Sequence, residues 1–285
     1  MTRWLVASDL DQTLIFSRRS FHLPAGVAEP PVMTVEHYQG EPASFLTRRA
    51  FAGLAEVRRL AELVPVTTRT LEQFRRVDPG GSPRFAVAAN GGHLLVDGAP
   101  DADWAGAVAA RLRDCAPFEE ILRLAEGFAG DWTRLVRVAD GLFVYLVAYD
   151  RDGIPDLAEV AAKAETVGWT VSLQGRKLYV VPAPLTKQAA LAEVARRAGT
   201  ERTVAAGDSL LDAPMLLAAD VALRPAHGEL HDSSWTAPHL TVTVSAGLLA
   251  GEEIVERFLA VAGEPDGQPG RPWRSGDGRR PRTGR

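Results

Sequence analysis

Two aspartates one residue apart, Asp9 and Asp11, end the first apolar run of the chain in WLVASDLDQT, and a threonine follows them. Two carboxylates on the same side of a strand tip repel each other and lose hydration against a core, so the pattern needs compensating charge. Other runs end in residues of matching chemistry: Thr67, Thr68 and Arg69 in LVPVTTRT, Asn90 in RFAVAANGG, and Asp208 in RTVAAGD, with Asp212 four residues further on. Lys187 opens a helix in LTKQAAL, the unfavourable end of the helix dipole for a cation, which marks it as more than a surface charge. Clustered carboxylates without cysteine ligands favour a hard divalent cation, Mg²⁺. A lysine and a hydroxyl beside that cation suit a phosphoryl group. One aspartate can then attack phosphorus, while its neighbour two residues on moves the proton for leaving group and water.

These residues act together only if the chain brings the run ends to one edge. Residues 3–8 read as a buried strand of a parallel sheet, and TRRAFAGLAEVRRLAEL over about 47–63 as a helix capped by Thr47. LVPVTTRT and RFAVAANGG give two further strands; RTVAAGD, VALRP and LTVTVS alternate with helices, the last at about 251–261. Ligands of an open α/β sheet bind at the carboxyl ends of its strands, where the reactive residues fall. Between them the rhythm changes to helices followed by hairpins, TRLVRVAD with GLFVYLVAYD turning at Asp140-Gly141, then WTVSLQ with RKLYVVP turning at Gly175. The reading is an α/β core, residues 1–91 and 185–261, split by an α+β insert at 92–184. Residues 17–44, with four scattered prolines, read as an irregular connection, and 262–285, rich in Gly, Pro and Arg, as a disordered tail.

The motifs in this order resemble those of haloacid dehalogenase (HAD) superfamily phosphohydrolases: DLDQT the first motif, the threonine of VPVTTRT the second, Lys187 the third and GDSLLD the fourth. AANGG and an αββαββ insert further resemble the relatives that carry a type IIB cap, the Cof-like and sucrose-phosphate phosphatases. The resemblance implies a doubly wound Rossmann-like core and a cap. Asp9 becomes the nucleophile and a metal ligand, and Asp11 the acid/base with its carbonyl on the metal. Thr67 and amides around Leu10 hold phosphoryl oxygens, Lys187 neutralises charge, Asp208 binds metal, and Asp212 binds it or supports Lys187. Thr68, Arg69, Asn90, Arg134 and Arg176 are expected to contact substrate, with Arg137, Lys177, His37, Arg18 and Arg19 as further polar candidates. Gln12, Thr68 and Leu211 stand where relatives of this pattern carry Gly, Gly and Asn. The segment 17–44 occupies the place of a flap over the site.

The implied activity is Mg²⁺-dependent hydrolysis of a small phosphomonoester, a sugar or polyol phosphate, through an aspartyl-phosphate. Phosphoryl transfer to a second hydroxyl, as in a mutase, and a catalytically weak metabolite-binding module remain alternatives. A net charge of -4 gives no electrostatic case for nucleic acid or an anionic membrane. A single cysteine, Cys115, excludes an internal disulfide and fits a reducing, cytoplasmic setting. No run reaches the roughly 20 apolar residues of a membrane span, and the acids in the first apolar run argue against a signal peptide. His227 and His231 in PAHGELHDSS read as a surface loop rather than a metal pair, and Phe143, Tyr145 and Tyr149 as one face of the insert's core. Oligomeric state is not encoded in any of these features.

Overall fold

The computed structural model describes residues 3–78 and 80–263. Strand β1 (Trp4–Ser8) is followed by the hairpin β2 (Val32–Tyr38) and β3 (Glu41–Thr47), then α1 (Arg48–Leu60), β4 (Glu62–Pro65), α2 (Leu71–Phe74) and β5 (Phe85–Ala88). Next come β6 (His93–Val96), β7 (Ala99–Pro100), α3 (Ala102–Arg111), α4 (Phe118–Phe128), β8 (Thr133–Ala139), β9 (Phe143–Ala148), α5 (Ala158–Thr166), β10 (Trp169–Gln174) and β11 (Lys177–Pro182). The chain closes with α6 (Lys187–Ala198), β12 (Arg202–Ala206), α7 (Ala213–Ala218), β13 (Val221–Arg224), α8 (Glu229–Asp232), β14 (Leu240–Val242) and α9 (Gly247–Ala262).

Five strands form a parallel sheet in the order β14-β13-β12-β1-β4. Successive side chains of β1 serve opposite faces, as a strand dictates. Leu5 and Ala7 join Ala190, Leu191, Val194 and Met215 of α6 and α7, whereas Trp4 and Val6 join Leu54, Val57, Ile254 and Phe258 of α1 and α9. Cover on both faces explains why these strands are continuous apolar runs rather than alternating ones. The observed fold class is the expected one: an α/β parallel-sheet core with additional antiparallel sheets.

Two expectations need correction. RFAVAANGG is not a full member of the parallel sheet: β5 meets the strand before it only through the Val66–Val87 bridge, and otherwise pairs antiparallel with β6, which pairs with β7. Apolar content alone cannot tell a parallel from an antiparallel neighbour. Nor is 17–44 irregular throughout, because β2 and β3 form an antiparallel hairpin turning at Gln39-Gly40, both with positive φ. Register shifts around Glu36 and a proline inside β3 hide its alternation.

Within 92–184, α4, β8, β9, α5, β10 and β11 make the αββαββ unit, its four-stranded antiparallel sheet ordered β10-β11-β9-β8. Its hairpins turn at Asp140-Gly141 and Gly175, all three at positive φ. The preceding β6, β7 and α3 lie on the core side: Trp104 of α3 donates its indole N–H to the Gly91 carbonyl (2.8 Å), and Asp101 pairs with Arg197 of α6 (2.6 Å). The expected tail lies, from residue 264 onward, outside the described residues. No helix among the described residues is long and apolar enough to cross a membrane.

Candidate active site

The carboxyl ends of β1, β4 and β12 meet the start of α6. Lys187, 1 % exposed, donates to Asp9 Oδ1 and Asp212 Oδ1, both at 2.6 Å. Asp212 Oδ2 accepts from the amides of Asp208 (3.2 Å) and Ser209 (3.0 Å) and from the Ser209 hydroxyl (2.7 Å). Both Asp212 oxygens are thus engaged, and the residue holds Lys187 and the 208–209 turn in place. This close approach requires Gly207, where a Cβ would stand 2.4 Å from the Asp212 carboxyl carbon.

Asp9, Asp208 and Asp212 bring carboxylate oxygens within 4.8 Å of one another. Burial pushes the Asp9 carboxyl upward; Lys187 opposes this, and Asp212 and Asp11 reinforce it. Asp208 is raised well above the ordinary range by burial and then by Asp9 and Asp212. Three buried carboxylates against one ammonium leave a charge deficit that a divalent cation fits, and the donor set is all oxygen. Among the described residues Asp9 Oδ2 accepts no hydrogen bond, and the Asp208 carboxylate accepts only from Thr13 Oγ1, at 3.5 Å. Asp9 and Asp208 therefore keep ligand capacity.

The loop after Asp9 is closed on itself, with the Leu10 carbonyl accepting from the amides of Leu14 (3.0 Å) and Ile15 (2.8 Å). Among the described residues the amides of Leu10 and Asp11 donate to nothing, leaving two N–H groups for an oxyanion. Gln12 occupies the left-handed region at φ 61, which explains why its position suits glycine. His227 compensates: its Nε2–H donates to the Gln12 carbonyl at 2.8 Å while Nδ1 accepts from the Gly247 amide at 3.0 Å. His227 is half-buried and structural rather than a surface-loop residue, correcting the sequence reading. Burial first of all holds its pKa down to about 4, so the ring is neutral.

Asp11 faces the cavity and is gripped by Arg69, whose Nε and Nη2 donate to its two oxygens at 2.7 and 2.8 Å. Burial would raise the Asp11 carboxyl, but the Arg69 charge and hydrogen bonds outweigh it and hold the group at about 2. Arg69 is itself held by Glu36 of β2 (2.9 Å), which also accepts from the Ser44 hydroxyl of β3 (2.6 Å). The flap hairpin thus reaches the site through Glu36, a residue without any sequence signal beyond its place in an irregular segment. Arg69, expected at the substrate, lines the cavity between core and cap while it holds Asp11.

Thr67 is fully buried, its hydroxyl accepting from the Arg69 amide at 3.2 Å, and Thr68 lies beside it against Tyr179. Asn90, expected at the substrate, instead donates to the Leu185 carbonyl at 2.7 Å and fastens the segment that leads into Lys187. Gly91 permits this contact, since a Cβ there would lie 2.3 Å from the Thr186 carbonyl oxygen. Arg176 and Lys177 line the cavity between core and cap, as does Arg19. Arg134 and Arg137 do not line it: they are exposed on β8, the edge strand of the cap sheet. His37 pairs with Pro42 in the hairpin, and Arg18 stacks over Phe21 and Phe45. Tyr145 stacks on Tyr179, with centroids 5.4 Å apart, and receives a bond from Gln73 of the core; Phe143 is buried, but Tyr149 is 63 % exposed and is not core.

A comparison with protein-family models found no match, and neither did one with the sequences of curated proteins. Solved structures do match. The sucrose-phosphatase of Synechocystis sp. PCC6803, solved with sucrose and phosphate, superposes with a TM-score of 0.61 at 16% identity, covering 90% of this chain and 98% of that one. A phosphatase of the haloalkanoate (HAD) superfamily from Bacteroides thetaiotaomicron gives 0.53 at 14% identity, covering 92% and 96%. A HAD subclass IIB sugar phosphatase gives 0.50 at 14% identity, covering 92% and 99%. The fold of this chain, core and inserted cap together, is the one these three solved phosphatases share.

Proposed function

We propose that the protein is a Mg²⁺-dependent phosphomonoesterase acting on a small phosphorylated metabolite, a sugar or polyol phosphate, through an aspartyl-phosphate on Asp9. One observation carries this reading. Among the described residues Asp9 has one oxygen fixed by Lys187 at 2.6 Å and the other without a hydrogen-bond donor, beside two free amides, at the sheet edge where this fold binds ligands.

Asp9 and Asp208, with the Asp11 carbonyl, would hold the Mg²⁺, which would offset charge on the carboxylates and on the phosphoryl oxygens. Lys187 favours the ionised form of Asp9 against the effect of its burial. The Leu10 and Asp11 amides and the Thr67 hydroxyl receive phosphoryl oxygens. Asp9 attacks phosphorus as the ester P–O bond breaks, and Asp11, protonated from solvent once Arg69 lets it go, delivers that proton to the departing oxygen. Asp11 then takes a proton from the water that attacks the aspartyl-phosphate, releasing phosphate and restoring Asp9. Clasped by Arg69, Asp11 is ionised and ready for the second half. The first half requires that Arg69 release it, which an incoming phosphoryl group, itself an Arg ligand, would favour. A single thiol, Cys115, suits a cytoplasmic setting.

The test is phosphate release from an aryl phosphate, with and without Mg²⁺, by wild type and Asp9→Asn. Turnover should need the metal and fall by about 10⁴-fold or more in the variant. Turnover that survives the substitution would show the nucleophile to be wrong.

A further inference from the structure

The cavity between core and cap has a volume of about 550 Å³, a size that holds more than a phosphoryl group. Its lining contains one carboxylate, Asp11, already taken up by Arg69. The remaining charged side chains are cationic: Arg151, Arg176 and Lys177 from the insert, and Arg19 from the segment after β1. Lys177 makes no ion pair or side-chain hydrogen bond among the described residues, and Arg176 is bonded only to the Tyr149 carbonyl at 3.0 Å. Arg151 shares its charge with Asp232 at 3.3 Å. Gln174, on the same hairpin, presents a buried amide nitrogen with no partner among the described residues. The turn from Gln174 to Lys177 therefore offers an unpaired ammonium, a guanidinium with donors to spare and an unsatisfied amide.

Cations that converge on one cavity without matching acids raise its affinity for an anion, and the buried Gln174 amide needs an acceptor. A neutral polyol supplies oxygens but leaves the positive charge uncompensated. We infer that the substrate carries a second anionic group, a carboxylate or a further phosphate, which Lys177, Arg176 and Gln174 bind while the reacting phosphoryl group sits at Asp9. The inference rests on the phosphatase reading and narrows its substrate class to phosphorylated metabolites with two acidic groups.

Matched substrates test it. Values of kcat/KM would be measured for glycerol 3-phosphate against 3-phosphoglycerate, and for fructose 6-phosphate against fructose 1,6-bisphosphate, so that the two pairs separate a carboxylate from a phosphate. The expected result is an advantage of about tenfold or more for the acidic member of at least one pair, shrinking with added salt. In Lys177→Met/Arg176→Gln that advantage should fall to about threefold or less. Equal values within a pair for both pairs would overturn the inference and leave the phosphatase reading intact. A double variant that slows neutral and acidic members alike would also overturn it, by placing Lys177 on the phosphoryl group. Failure to turn over any ester would instead count against the phosphatase reading; calorimetric binding of the same pairs to Asp9→Asn would then decide the inference, with about tenfold tighter binding of an acidic member expected and equal affinity contradicting it.

Discussion

Asp9 and Asp212 share one ammonium, that of Lys187, with the buried Asp208 carboxylate beside them. Such a cluster costs stability until a cation arrives. The sign follows from Asp208: its folded-state carboxyl is raised by burial, so its contribution favours folding when protonated and turns against it as pH climbs through the raised value. Asp208→Asn should therefore raise the Tm of the metal-free protein at pH 8 by a few degrees, about 1 kcal/mol's worth, while abolishing the rise expected of wild type on adding Mg²⁺. Thermal melts with chelator and with Mg²⁺ measure both. At this scale the acids and Lys187 were legible because their types and order carry the chemistry. Arg69, Asn90 and His227 were not, because their roles depend on which neighbour each side chain reaches: Asp11, the Leu185 carbonyl and the Gln12 carbonyl.

The short elements around the site are fastened by single side chains. His227 joins the loop at Gln12 to the start of α9, and it does so only as the neutral Nε2–H tautomer, since a protonated Nδ1 would face the Gly247 N–H. With the pKa lowered from 6.5 to about 4, its stabilisation is complete above 6.5 and is lost as pH falls through 4. Wild type should lose on the order of 2–3 kcal/mol more than His227→Gln between pH 7 and pH 4 in urea unfolding. Parallel losses would contradict the assignment. The hairpin β2–β3 shows the limit of sequence reading for elements. Its Gln39-Gly40 turn was a usable signal, but the bulge at Glu36 breaks the period-2 pattern on which a strand is recognised. That bulged residue is the one that reaches Arg69.

Across the whole molecule, core and cap meet around the cavity through a few polar joints. Glu229 is the most connected: its carboxylate accepts from the Leu210 amide (2.9 Å) beside Asp208, and from the Ser172 hydroxyl (2.9 Å) and Leu173 amide (3.0 Å) of β10. Asp140 of the cap hairpin accepts from the Leu71 amide at 2.9 Å on the other side. Glu229→Ala should favour an open arrangement by about tenfold, visible as a larger radius of gyration in solution scattering and a lower kcat/KM; an unchanged radius would remove Glu229 as a latch. The α/β core and αββαββ insert were legible because alternating element types fix layers and connectivity. How the cap would sit, and which of its cations would face Asp11, was not, because that follows from docking two surfaces. Arg176 and Arg134 look alike in sequence, yet only the former lines the cavity.

The central claim is covalent: Asp9 takes the phosphoryl group. Acid quench of the enzyme during turnover, borohydride reduction and peptide mapping would locate an acyl phosphate as homoserine. The account predicts that product at position 9, absent in Asp9→Asn and more abundant in Asp11→Asn, where water attack is slowed. Continued turnover with no modified residue, or a modification at another acid, would contradict it.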